Sequence, residues 1–233
     1  MARLARLALA GQTHLIVQRA LQGQHLVQDA EDRRHWLTAL RESAASQRVA
    51  LHAYALLEGE VHLLATPAEA QALGLMMQML GRRHVGAFNR RHARRGTLFD
   101  GRFRGTVIEP GGWLRDALVR VDGLALGDAA PQAVADPLWS SAPHHLGQQR
   151  CTWLADPPEY WRLGNTPFDR ESAFAALLQA GLPHDRQQRL AQGALHGWPV
   201  GSPGFLADLA QQTERPLGPR GRGRPRQGTG NAA

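Results

Sequence analysis

Residues 49–66 constrain the fold of this 233-residue chain more than any other stretch. Val49, Leu51, Ala53, Ala55 and Leu57 recur with period two, the pattern of a strand that buries one face. Glu58 and Gly59 make a tight connection, and residues 61–66 return as a second strand, so the segment predicts a β-hairpin. An isolated hairpin is marginal in water and needs further strands or helices to cover it. The flanking sequence must supply them.

It does so in a regular order. Residues 13–19 form a short run rich in β-branched residues and read as a strand. Asp29 can cap a helix whose first turn holds Glu31 and Asp32, and Trp36, Leu37, Leu40 and Ala44 follow at helical spacing. After the hairpin, Leu73, Met76, Met77, Leu80, His84, Ala87 and Phe88 share one arc of a second helix. Arg82, Arg83 and Arg90 project away from that arc, whereas continuing the helix drives Arg91 into it, so an end near residues 89–91 is expected. A loop with Arg94, Arg95 and Gly96 leads to a strand over 103–109. Pro110, Gly111 and Gly112 then open a third helix with Leu114, Ala117, Val121 and Leu124 facing inward. Strand, helix, strand, strand, helix, strand is the split βαβ arrangement of an α+β, ferredoxin-like sandwich, here with one helix added.

Residues 1–148 are expected to form this domain. Beyond residue 130 the chain changes character, with repeated prolines and Trp139, Trp153 and Trp161 in segments that read as loops. Short helices are expected over 172–180, 185–195 and 204–212, which makes 149–213 a C-terminal helical region. Residues 214–233 are Arg, Gly and Pro with little that is apolar, and are expected to be disordered when free.

The net charge is +7 and every one of the 27 basic residues is arginine. Residues 82–104 hold eight arginines against Asp100, and residues 214–233 hold five against Glu214, leaving 14 arginines and 18 acids elsewhere. The two segments thus carry +7 and +4 on a chain otherwise at −4. A single arginine run is as often a solvated face as a site. Two runs beside an acidic remainder favour a polyanion, because guanidinium forks match phosphate oxygens and each neutralised phosphate releases counterions. Cys151 is the only cysteine, which excludes an intrachain disulfide or a cysteine-rich metal cluster. No apolar run reaches the length of a membrane span, and Gln12, Thr13 and His14 interrupt the basic and apolar start too early for a secretory signal. A cytoplasmic protein, with association to the nucleoid open, is the expectation.

Three stretches, RVALHAYALLEGEVHLLATP (48–67), MQMLGRRHVGAFNRRHARRGTLFDGRFRGTVIE (77–109) and PLWSSAPHHLG (137–147), together resemble the REP-associated tyrosine transposases of the HUH single-tyrosine superfamily. The start ARLARLALAG and the tail GRGRPR also look like that family. The resemblance implies a ferredoxin-like domain that recognises hairpin-forming or single-stranded DNA repeats. It also implies cleavage of one strand by a tyrosine hydroxyl, with Mg or Mn polarising the phosphodiester.

At the positions that carry this chemistry the chain departs from the family. Where the hairpin's second strand should hold His, an apolar residue and His, it holds Glu60, Val61 and His62. The spacing survives, and a carboxylate is a competent ligand for Mg or Mn, so Glu60 and His62 are the candidate metal ligands; the alternative is two polar residues on an exposed sheet face. The third helix matches the family motif with Val121 at the nucleophile and Ala125 at the metal-binding Asn. Valine has no oxygen with which to attack phosphorus. Of the two tyrosines, Tyr54 matches a non-catalytic position, and Tyr160 is a remote substitute in the C-terminal region. Residues 20–23, Ala-Leu-Gln-Gly, replace the family's Gly-Asn-Asn-Arg.

What persists is the DNA surface, with Arg82, Arg83, Arg90, Arg91, Arg94, Arg95, Arg102 and Arg104 as candidate phosphate contacts. Phe99 and Phe103 could stack on bases, and core packing is the competing use of Phe103. Arg222, Arg224 and Arg226 resemble an AT-hook core suited to a narrow minor groove, with generic phosphate attraction as the alternative. The sequence thus points to a DNA-binding relative without cleavage. A nickase with an unusual nucleophile and a scaffold for protein contacts are its two rivals.

Overall fold

The computed structural model describes residues 6–127 and 139–219. Its first half follows the expected order. Strand β1 is His14–Arg19, and Asp29 then caps helix α1, Ala30–Ser46, by accepting the N–H groups of Glu31 and Asp32 at 2.9 and 3.0 Å. The hairpin is β2, Val49–Leu56, and β3, Glu60–Pro67. Helix α2, Ala72–Arg91, strand β4, Arg104–Val107, and helix α3, Gly112–Leu126, complete the sandwich. The four strands lie in the order β2-β3-β1-β4 with every neighbouring pair antiparallel, the arrangement expected of a ferredoxin-like α+β fold.

One face of the sheet carries α1 and α2. Trp36 and Leu40 of α1 and Leu73, Met76 and Leu80 of α2 pack on Ile16, Leu51, Leu56, Val61 and Leu63. On the second face Leu15, Val17, Ala53, Ala55 and Leu64 meet Leu114, Ala117, Leu118 and Val121 of α3. Uniform alternation along β2 would put Leu51 and Ala53 on the same face. Instead Leu51 pairs with Ala65 and Ala53 with Leu64, so His52 is an extra residue, a β-bulge that switches the alternation. Its ring bridges the Ala155 carbonyl at 2.6 Å and the Thr66 hydroxyl at 2.8 Å.

The C-terminal part finishes the second face. After the short helices α4, Ala142–His145, and α5, Pro158–Trp161, come α6, Pro167–Ala180, α7, His184–His196, and α8, Pro203–Gln212. All three longer helices lie where short helices are expected; α7 and α8 start one residue before the expected position and α6 five residues before it. Thr166 and Asp169 form a reciprocal cap with Pro167 at the first helical position. Phe174 of α6 and Leu190 and Ala194 of α7 join the cluster of α3. Gly193 lets α7 approach closely, since a Cβ there would lie 2.4 Å from Val200 Cγ2 and 3.0 Å from the Trp198 carbonyl.

Both outer strands are bordered by backbone. Along β2, Leu56 N–H donates to Trp139 O, Ser141 N–H to Tyr54 O and Ala155 N–H to Leu51 O, at 2.9, 2.9 and 2.8 Å. Beside β4, Val200 pairs in parallel with Ile108, donating to Val107 O and accepting from Glu109 N–H, both at 2.9 Å. The basic tail begins with a docked residue, Arg215, which donates to Gly197 O at 2.8 Å and lies over the Trp198 ring.

Candidate nucleic-acid interface

Strand pairing brings the polar residues of the second face together. Val17 stands opposite His62 on one side and Arg104 on the other, and Arg19 stands opposite Glu60. Because side chains alternate, Arg19, Glu60, His62 and Arg104 all belong to the face that carries Val17. Here the sheet is only partly covered. Arg120 of α3, Ala191, Gln192, Ala194 and Leu195 of α7, and Asp100 and Arg102 of the loop before β4 wall a pocket of about 130 Å³ around them. That is room for several waters or one phosphate-sized group.

Glu60 is held from two sides. His62 Nε2 lies 2.9 Å from its Oε1, and Arg19 Nε donates to its Oε2 at 2.9 Å. The His62 hydrogen bond, with Arg19 in support, lowers the Glu60 carboxyl to about 2 against the desolvation that opposes it. Arg120 is half-buried, its Nε has no hydrogen-bond partner, and burial pulls its pKa down although the Glu60 charge acts the other way. Arg104 donates to Leu195 O at 3.3 Å. Four arginines against Glu60 and Asp100 leave the lining at +2 before His62 is counted.

This geometry answers the metal expectation. Both carboxylate oxygens of Glu60 are already bonded, and His62 offers only its buried, unpartnered Nδ1. A hard cation such as Mg or Mn asks for about six oxygen-rich ligands. Four guanidinium groups around the same pocket oppose any cation. The residues present do not fit that ion. Among the described residues two groups do bring three metal-ligating side chains together, His144–His145–Asp156 and Asp29–Asp32–His92, and neither contains Glu60 or His62.

Val121 faces inward, as its place on the apolar stripe of α3 predicts. Val121 is fully buried between α3 and the sheet, and the α3 side chain that lines the pocket is its neighbour Arg120. Neither tyrosine lines it. Tyr54 is buried against Trp153, their rings stacked at 5.3 Å, and the Tyr160 hydroxyl donates to His145 O at 2.8 Å. Burial raises the Tyr160 hydroxyl to about 12.

The arginines of 82–104 part into groups. Arg82, Arg90, Arg95 and Arg102 are exposed. Arg83 is paired with Glu42, and Arg94 reaches Asn89 Oδ1 at 3.2 Å while lying over Phe88. Arg91 does not enter the apolar arc. It is the last residue of α2 and swings to the acidic first turn of α1, meeting Asp29 at 2.6 Å, Glu31 at 3.1 Å and Asp32 at 2.7 Å. Its charge braces the two helices. Phe99 and Phe103 pack against the first core cluster, and the Arg6 guanidinium covers the Phe103 ring at 3.7 Å. Arg222, Arg224 and Arg226 lie outside the described residues. Sequence reasoning missed Arg19 and Arg120, although Arg19 continues the alternation of Leu15 and Val17 onto the same face.

Comparison with solved structures gives a guide. A solved structure of a REP-associated tyrosine transposase bound to a REP hairpin superposes with a TM-score of 0.53 at 14% identity, covering 67% of this chain and 93% of that one. The two share a fold at a distance. No protein-family model and no curated protein matches the sequence. No helix of the described residues is long and apolar enough to cross a membrane.

Proposed function

We propose that this chain is a DNA-binding relative of the REP-associated tyrosine transposases that holds hairpin or single-stranded DNA without cutting it. The observation that carries the reading is Arg120. The α3 side chain beside the Glu60–His62 pair is a guanidinium, which binds a phosphate and has no oxygen to attack it. Arg19, Arg102 and Arg104 supply further charge at the same pocket. The shared fold with a hairpin-bound transposase supports the choice of nucleic acid over other polyanions. Exposed Arg82, Arg90 and Arg95 near the end of α2 would add contacts to the DNA backbone, which position the strand without reading its sequence.

The test is incubation of the full chain with labelled hairpin DNA and manganese, read on native and denaturing gels. A shift that weakens with salt is expected, with no cleavage and no covalent adduct. Arg120→Ala should weaken the complex and lower the slope of log affinity against log salt by about 1. Nicking or an adduct would restore the nickase reading. A chain that shows no salt-sensitive shift would leave the fold to a protein-contact role.

A further inference from the structure

Beyond DNA binding, a second cluster on the opposite side of α3 is short of a partner. Asp122 of α3 is fully buried, and both of its oxygens accept, Oδ1 from the Ser141 hydroxyl and Oδ2 from His145 Nδ1 at 2.6 Å. An ionised carboxylate only accepts, so His145 Nδ1 carries the proton of that bond. The other nitrogen, Nε2, then holds a lone pair or a second proton. It is buried in a residue with no exposure at all, and has no hydrogen-bond partner. Asp156 Oδ1 lies 3.7 Å from it and also meets His144 Nε2 at 3.0 Å. Buried polar atoms are rarely left unmatched, so something is expected between these three side chains.

We propose that His144, His145 and Asp156 bind one divalent transition-metal ion of the zinc class. Their ligand atoms lie within 4.8 Å of one another. Tetrahedral zinc with its usual bond lengths sets neighbouring ligand atoms about 3.3 Å apart, between the 3.0 and 3.7 Å observed. Two imidazoles and one carboxylate suit zinc or cobalt rather than Mg or Mn, and leave one position for water. The Asp122–His145 hydrogen bond is the outer support that fixes a ligating imidazole in its productive tautomer. An entry path exists, since His144 lines a cleft of about 370 Å³ with Trp139, Arg150 and Trp153.

Two costs are visible. His144 Nδ1 accepts the Cys151 N–H at 3.2 Å, so loading the ion on Nε2 moves the ring proton to Nδ1 and gives up that contact. Arg170 also acts on Asp156, and its charge opposes the ion in part. The other three-ligand group, Asp29, Asp32 and His92, is already filled by the Arg91 guanidinium. It serves as the control.

The experiment takes the full chain, stripped with a chelator, and titrates it with cobalt(II) while following visible d–d absorption, with zinc as the competitor. One cobalt per chain is expected, with an intense tetrahedral-type band that zinc abolishes. His144→Gln and Asp156→Asn, both at half-buried residues, should each weaken binding at least about tenfold, and His92→Gln should leave it unchanged. Zinc should also shift the backbone amide resonance of Cys151, a readout that requires no variant. The proposal is overturned by the absence of a band in the wild-type chain, by a band that survives both substitutions, or by a Cys151 amide that does not respond.

Discussion

Arg120 and Val121 are neighbours on α3, and a helix turns about 100° between neighbours, so one side chain enters the basic pocket while the other is sealed against the sheet. Placing a tyrosine at 121 therefore overfills a packed core. Val121→Tyr should lower stability by about 1–3 kcal/mol, seen as a lower melting temperature, without bringing a hydroxyl into the pocket. Glu60 gives a pH signature. Its carboxyl sits near 2 in the folded chain, below the ordinary 4.5, so the stabilisation is complete above 4.5 and is lost as pH falls through about 2. The gap in melting temperature between wild type and Glu60→Gln should narrow across that window. If the gap stays constant with pH, the His62 and Arg19 contacts do not hold the carboxylate as described. Sequence alone shows which residues alternate on a strand, and so brings Glu60 and His62 together. It also turns Val121 inward, but it does not show that Arg120 meets the Glu60–His62 pair, because the α7 residues that close that pocket, such as Ala191 and Leu195, lie some seventy residues away.

Among the elements, legibility tracks how local the cause is. The hairpin, α1 and α2 are read from periods of two and 3.6 that each segment carries within itself. The bulge at His52 escapes such a reading, since one inserted residue leaves local composition unchanged and is specified by partners at Thr66 and Ala155. The placement of α7 over β4 escapes it too. That contact depends on Gly193, where the missing side chain makes room for Val200. Gly193→Ala should cost about 1–3 kcal/mol in chemical denaturation, because a branched side chain and a backbone carbonyl must both give way. An unchanged unfolding midpoint would mean that α7 can move off the strand freely. Arg91 follows the same logic, since its acidic partners are some sixty residues earlier in the chain.

At the scale of the molecule, the helices after residue 139 act as the second lid of the sheet. Phe174, Leu190, Ala194 and Val200 share one apolar cluster with α3. A chain ended at residue 127 would leave the outer side of α3 and the part of the sheet beside it to water, and should bind a hydrophobic dye strongly and melt without a cooperative transition. Cooperative melting of such a fragment would assign the C-terminal helices to function alone. The strips of backbone beside β2 and β4 have a further result. With Trp139, Ser141 and Ala155 along one margin and Val200 along the other, much of the hydrogen-bonding capacity of both margins is spent within the chain. Two copies joining strand to strand into a continuous ribbon would have to peel one of these selvedges away first, so self-association, where it occurs, falls to side chains rather than to the main chain.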